Sequence, residues 1–130
     1  MQSIRPFLMF QGEAKNALAL YQKTFADFHL LQIHHYPDSA GDSANKVESA
    51  VIEISGQQIQ MIDSPVDHNF SFTPSYSFFL TFTNIEEFES VLGSLSEGGE
   101  ELMPADDYGF SKRFAWINDA YGVSWQLNLE

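Results

Sequence analysis

Phe7-Leu8-Met9-Phe10, near the start of the chain, reads like Phe79-Leu80-Thr81-Phe82, 72 positions further on. Each run is followed by a short polar break and then by a helical pattern. A second pair keeps the same order. Gly56-Gln57-Gln58-Ile59-Gln60-Met61 reads like Gly122-Val123-Ser124-Trp125-Gln126-Leu127, 66 positions on. Matching pieces in the same order mark an internal duplication, with the second copy six residues shorter in its middle.

The periodicity around these matches fills in each half. Ile4 to Phe10 alternates as a strand, and Ala14, Leu18, Tyr21 and Phe25 then fall on one helical face. Phe28 to Tyr36 is a second strand, and Pro37 to Asn45 is a loop rich in Pro, Asp, Ser and Gly. Val47 to Ile54 and Gln57 to Ile62 are strands about a Ser55-Gly56 turn. The second half repeats this order, opening with a strand from Ser77 to Phe82. Its helix is capped by Asn84 with Glu87 three residues later, carries Ile85, Phe88, Leu92 and Leu95 as its stripe, and ends at Gly98-Gly99. A short strand at Glu100 to Met103, an acidic loop to Tyr108, a strand from Lys112 to Asn118 and a last strand from Val123 to Leu129 complete it. The expected organisation is one α+β domain of two tandem β-α-β-β-β modules, residues 1–63 and 77–130, joined by a linker at 64–76.

A helix crossing a sheet covers one side of it. Alternation puts Leu8 and Phe10, Phe78, Leu80 and Phe82, and Trp125, Leu127 and Leu129 on the helix side. Arg5, Phe7 and Met9, Ser77, Phe79 and Thr81, and Gln60 and Gln126 fall on the other. A face half aromatic and half polar has the lining of a small-molecule site; a wet sheet face or a dimer contact would share that composition.

Bulk numbers exclude several partners. Six basic against eighteen acidic side chains leave a net charge of −12 over 130 residues, with no basic stripe for nucleic acid. The same charge disfavours an anionic membrane surface. No apolar run approaches the roughly 20 residues that span a bilayer. No basic-then-apolar leader opens the chain, so a cytoplasmic location is expected. The absence of cysteine removes disulfides, thiolate nucleophiles and zinc–thiolate sites together.

Pro6-Phe7-Leu8-Met9-Phe10-x-Gly12-x-Ala14, with Ala17-Leu18 and Tyr21, resembles the opening of the PhnB-like branch of the vicinal oxygen chelate superfamily, which includes glyoxalase I, extradiol dioxygenases and the bleomycin and fosfomycin resistance proteins. Asp119-x-x-Gly122-x-x-Trp125 resembles the closing motif of that branch, and Ile54-x-Gly56-Gln57-x-Ile59 and Met61-x-Asp63 resemble its middle hairpin. The resemblance spans nearly the whole chain. It implies paired modules forming a cupped mixed sheet, in a homodimer. Branch members are often labelled ubiquinone-pathway methyltransferases, but no Gly-rich strand-to-helix loop for S-adenosylmethionine is present, so no cofactor is expected.

The superfamily places metal ligands on the first and last strand of each module. Those places fall here on Arg5 or Pro6, Gln60 or Met61, Ser77 and Gln126. Arg only donates, and amide and hydroxyl oxygens match zinc, nickel or iron poorly. The expectation is a metal-free small-molecule binder with Arg5, Phe7, Met9, Gln60, Ser77, Phe79 and Gln126 as ligand-binding residues. A metal-dependent lyase or isomerase with its ligands at other positions, or a metal-free one using Glu53 or Asp63, is the alternative; sequestration of a cationic antibiotic is another. His29 opens a strand, and His34 and His35 point to opposite faces of it. His68, five residues from Asp63, is a candidate acid–base pair with it. Lys112-Arg113 after Asp106-Asp107 reads as a charged loop.

Overall fold

In the structure, a computed structural model describing residues 1–130, regular pairing begins after Pro6, which has no N–H for a ladder. Strand β1 is therefore Phe7–Phe10, shorter than alternation predicts. The Pro6 carbonyl still accepts from Gln60 N at 2.9 Å, while Ile4 lies in solvent. Helix α1 (Ala14–Thr24), β2 (Phe28–His35), a 3-10 turn at Asp38–Ser43, β3 (Val47–Ile54) and β4 (Gln57–Asp63) follow. The second copy runs β5 (Phe78–Phe82), α2 (Ile85–Ser96), β6 (Glu100–Asp106), β7 (Arg113–Asn118) and β8 (Ser124–Leu129). The chain divides into two compact units, Met1–Asn69 and Phe70–Glu130. Each holds one four-stranded mixed sheet, ordered β1-β4-β3-β2 and β5-β8-β7-β6.

The duplication is carried in the register. β1 runs parallel to β4 with Phe7 opposite Gln60, and β5 runs parallel to β8 with Phe79 opposite Gln126. The hairpins differ by one residue. Ser55-Gly56 turns β3 into β4 with positive φ at both positions, the geometry that matches strand twist. In the second unit Asp119 N bonds Val123 O and encloses three residues. Asp119, buried, organises that longer turn: Oδ1 accepts from Tyr121 N at 2.8 Å and Val123 N at 3.1 Å, and Oδ2 accepts from Trp125 Nε1 at 2.9 Å. The Asp-x-x-Gly-x-x-Trp motif is thus a folding device that ties the turn to the core.

Each helix covers one sheet face. α1 buries Ala14, Ala17, Tyr21 and Thr24. That stripe is rotated from the predicted 14-18-21-25 set, because small Ala17 lets the helix approach the sheet while Phe25 leaves the helix as its extended C-cap. α2 buries Phe88, Val91 and Leu95, leaving Ile85 exposed at its first turn. The core beneath the helices is Leu8, Phe10, Ile52, Ile59 and Met61 in the first unit. Phe82, Ile117, Trp125 and Leu127 serve in the second. β6 runs three residues beyond prediction, through Pro104, with two register shifts; an edge strand tolerates both.

The two helix starts are satisfied differently. Asn84 Oδ1 accepts from Glu87 N at 2.9 Å, the local cap expected from sequence. Glu13, at the same place on α1, makes no side-chain cap bond. Asp63 supplies it from β4: Oδ1 accepts from Gly12 N at 2.8 Å and Ala14 N at 3.0 Å, and Oδ2 from Val47 N at 3.0 Å. No helix is long and apolar enough to cross a membrane.

Candidate functional site

The helix-free sheet faces carry the predicted site residues, and hydrogen bonds join them within each unit. In the first unit Arg5 donates to Gln60 Oε1 from Nε at 3.3 Å and Nη2 at 3.2 Å. Because Arg has no acceptor, these bonds orient the amide with its nitrogen away, and Gln60 Nε2 donates to Ser49 Oγ at 3.3 Å. Phe7, opposite Gln60 in the ladder, is 54% exposed; Met9 is half-buried beside it. In the second unit Gln126 Nε2 donates to Ser77 Oγ at 2.7 Å, and Phe79, opposite Gln126, is 58% exposed. Arg5 and Ser77 are equivalent under the repeat, as are Gln60 and Gln126, so the same strand geometry presents a cation in one unit and a hydroxyl in the other.

Sequence reading missed four members of the second face. Phe114 and Trp116 stand on β7 opposite Asn128 and Gln126, alternating with buried Ala115 and Ile117. That alternation was the signal that could have found them. Trp116 Nε1 donates to Ser124 Oγ at 2.8 Å. Phe114 is buried because three rings gather on it: Phe79 at 6.3 Å, and Tyr108 and Phe110 of the β6–β7 loop at 6.1 and 5.0 Å between centroids. Tyr108 also donates its hydroxyl to Pro104 O. No local period marks those loop rings.

Several candidate catalytic groups have other employment. Both Asp63 oxygens are taken by backbone N–H groups, so it is not a base poised beside His68. The His68 ring instead meets Ser64 Oγ at 3.0 Å. Tyr36 donates to the Asp63 carbonyl at 3.0 Å, and its phenol is pushed above the ordinary tyrosine value first by desolvation, then by the Glu48 and Asp63 carboxylates. Arg113 does not belong to the charged loop. It opens β7 on the helix side, with Nε 2.8 Å from Glu89 Oε1 and its guanidinium over the Phe88 ring at 6.0 Å. His34 and His35 are exposed on edge strand β2, where a register shift separates them. Glu53 does stand on the helix-free face, between Gln58 and His29 in the ladder.

The donor set at the four superfamily positions does not fit a divalent metal. Gln60 Oε1, the one neutral oxygen beside Arg5, is held by a guanidinium, and Ser77 Oγ is held by Gln126 Nε2. No group of three His, Cys, Asp or Glu side chains is placed to hold a metal anywhere in the chain.

The model of the family described as 3-demethylubiquinone-9 3-methyltransferase matches residues 2–128. A PhnB protein from Bacillus cereus, described as a candidate 3-demethylubiquinone-9 3-methyltransferase, is 42% identical, with a TM-score of 0.93 over 99% of this chain and 100% of that one. Protein YjdN of Escherichia coli is 26% identical, over 97% of this chain and 94% of its own. The fosfomycin resistance protein FosX of Listeria monocytogenes, crystallised with Mn(II) and a dihydroxypropylphosphonic acid, is 11% identical. It shares the fold at a TM-score of 0.67 over 100% of this chain and 94% of that one. The strand-to-helix turns here do not fit S-adenosylmethionine. They are Gln11-Gly12-Glu13, closed by Asp63, and Thr83-Asn84, closed by the Asn84 side chain. Neither leaves a glycine-rich, unpartnered backbone for a nucleoside to approach.

Proposed function

The chain belongs to the 3-demethylubiquinone-9 3-methyltransferase family, in the PhnB-like branch of the vicinal oxygen chelate superfamily, and from that premise we propose that it binds a small organic molecule on the helix-free faces without a divalent metal. One observation carries the reading: at the four positions where the superfamily coordinates metal, Arg5 is bonded to Gln60 and Ser77 to Gln126. These pairs are preorganised donors and acceptors beside exposed Phe7 and Phe79, the polar-plus-aromatic lining that small-molecule sites use. The cation at Arg5 weighs against sequestration of a cationic antibiotic on the first face. We further infer a homodimer: the superfamily habit and the mixed-polarity sheet faces favour a closed symmetric contact, and sedimentation velocity reads it directly.

The test is metal analysis joined to a thermal-shift screen. Purified protein should carry no stoichiometric divalent ion, and EDTA should leave Tm unchanged. A library of small organic molecules should yield stabilisers, since a ligand of the native state raises stability by mass action. A stoichiometric ion that only strong chelators remove, with a fall in Tm on its removal, refutes the metal-free site.

A further inference from the structure

We propose that Arg5 is an anion receptor, so that the ligand carries a carboxylate or phosphate group joined to an apolar part. This rests on the small-molecule reading above and names the ligand's chemistry.

The argument starts from charge. The chain has eighteen acidic side chains and six basic ones. Arg113 meets Glu89, and the four lysines are exposed. Arg5 is different: it is half-buried, yet its side-chain partner is the neutral amide of Gln60 and no carboxylate lies within ion-pair distance. A guanidinium cannot shed its proton to escape this. The carboxylate that shares its sheet face on β3, Glu53, stands opposite Gln58, two pairs along the ladder from Gln60 and so about 7 Å away along the strand.

The fork is also held still. Nε and one Nη2 hydrogen are spent on Gln60 Oε1, and Gln60 is braced in turn by Ser49. Of five guanidinium hydrogens, three remain for a ligand. A planar cation fixed by a neutral partner retains its full charge for an incoming oxyanion, and such charge-assisted bonds are about twice as strong as neutral ones. Phe7, two residues along on the same face and half exposed, provides apolar contact beside the charged group. The second unit has Ser77 at the equivalent place and lacks the receptor. The overall charge of −12 slows the approach of an anion, but it does not neutralise a donor set at contact.

The experiment uses the full chain and three probes that share a phenyl ring: benzoate, phenyl phosphate and neutral benzamide, the last a near-isostere of benzoate. Binding is followed by NMR at the Arg5 Nε–Hε and Phe7 ring resonances. In the parent, one or both anions should bind about tenfold or more tighter than benzamide, and whichever anion is preferred identifies the carboxylate or the phosphate. In Arg5→Gln that preference should vanish, leaving anion and amide within about twofold; Arg5→Lys, with charge but no fork, should fall between. Benzoate and phenyl phosphate binding no better than benzamide to the parent overturns the anion receptor, and this arm decides even if a variant fails to fold. Equal binding of all three probes leaves the small-molecule reading standing. Absence of any shift on either sheet face, with charged and neutral probes alike, refutes that reading as well.

Discussion

Replacing Asp63 separates a structural carboxylate from a catalytic one. Its two oxygens accept three backbone N–H groups, from Gly12, Ala14 and Val47. The residues Ala14 and Val47 are wholly buried, so their amides have no water to turn to. An orphaned buried donor costs about 1–3 kcal/mol. Two such donors, plus a partly exposed third, predict about 4 kcal/mol for Asp63→Ala. Asp63→Asn keeps one oxygen for Gly12 and Ala14 but turns an NH2 group toward Val47 N, orphaning one donor for about 2 kcal/mol. Urea unfolding at neutral pH should show both as midpoint shifts at unchanged slope, alanine the larger. Native-state hydrogen exchange at Gly12, Ala14 and Val47 should accelerate ahead of the rest of the first unit. An alanine variant within about 0.5 kcal/mol of the parent, the range of ordinary surface changes, or one no worse than asparagine, would refute the capping role and return Asp63 to the list of candidate bases.

Trp125→Ala should cost about 3–5 kcal/mol by calorimetry or urea, because a large buried side chain is removed and Asp119 Oδ2 loses its indole donor; a variant that melts with the parent contradicts the placement of β8 under α2. Two glycines should respond with opposite sign. Gly93 lies inside α2 with nothing near the position of an added Cβ, so Gly93→Ala should stabilise by about 0.5–1 kcal/mol. Gly99 would bring that Cβ to 2.2 Å from the Asn118 carbonyl, so Gly99→Ala must shift the backbone where β6 meets β7 and should lower Tm clearly.

The fold was legible because two periodicities repeat. Alternation in β1, β4, β5 and β8 places every candidate site residue on the helix-free face, and the matches at 72 and 66 positions are the parallel registers Phe7–Gln60 and Phe79–Gln126. Partners distant in sequence were not legible. Asn84 caps α2 from three residues away and could be read, whereas Asp63 caps α1 from 49 residues away and looked like a free acid near a histidine. Arg113 looked like part of a charged loop because only the fold brings Glu89 to it. Tyr108 and Phe110 escaped notice because loop rings have no period; their partner Phe114 lies across a turn from them.

The differences between the two copies separate what the fold requires from what it does not. Identical registers mean that equivalent positions occupy equivalent backbone, so a duplicated fold alone would accept the same side chain in both. Asp63 against Leu129 is explained by folding, since α2 carries its own cap and needs no acid from β8. Ser49 against Phe114 is explained by packing, since Phe114 is the buried centre of a ring cluster that the first unit lacks. Arg5 against Ser77 has no such explanation: neither caps a helix, and the Arg5–Gln60–Ser49 chain lies on the face that no helix covers. A solvated arginine costs the fold nothing and needs no bracing, yet this one is bonded twice to an amide that is itself bonded to a serine. Ordering a long side chain on an open face carries an entropic cost, which a fixed charge for an incoming ligand would account for and fold stability alone would not.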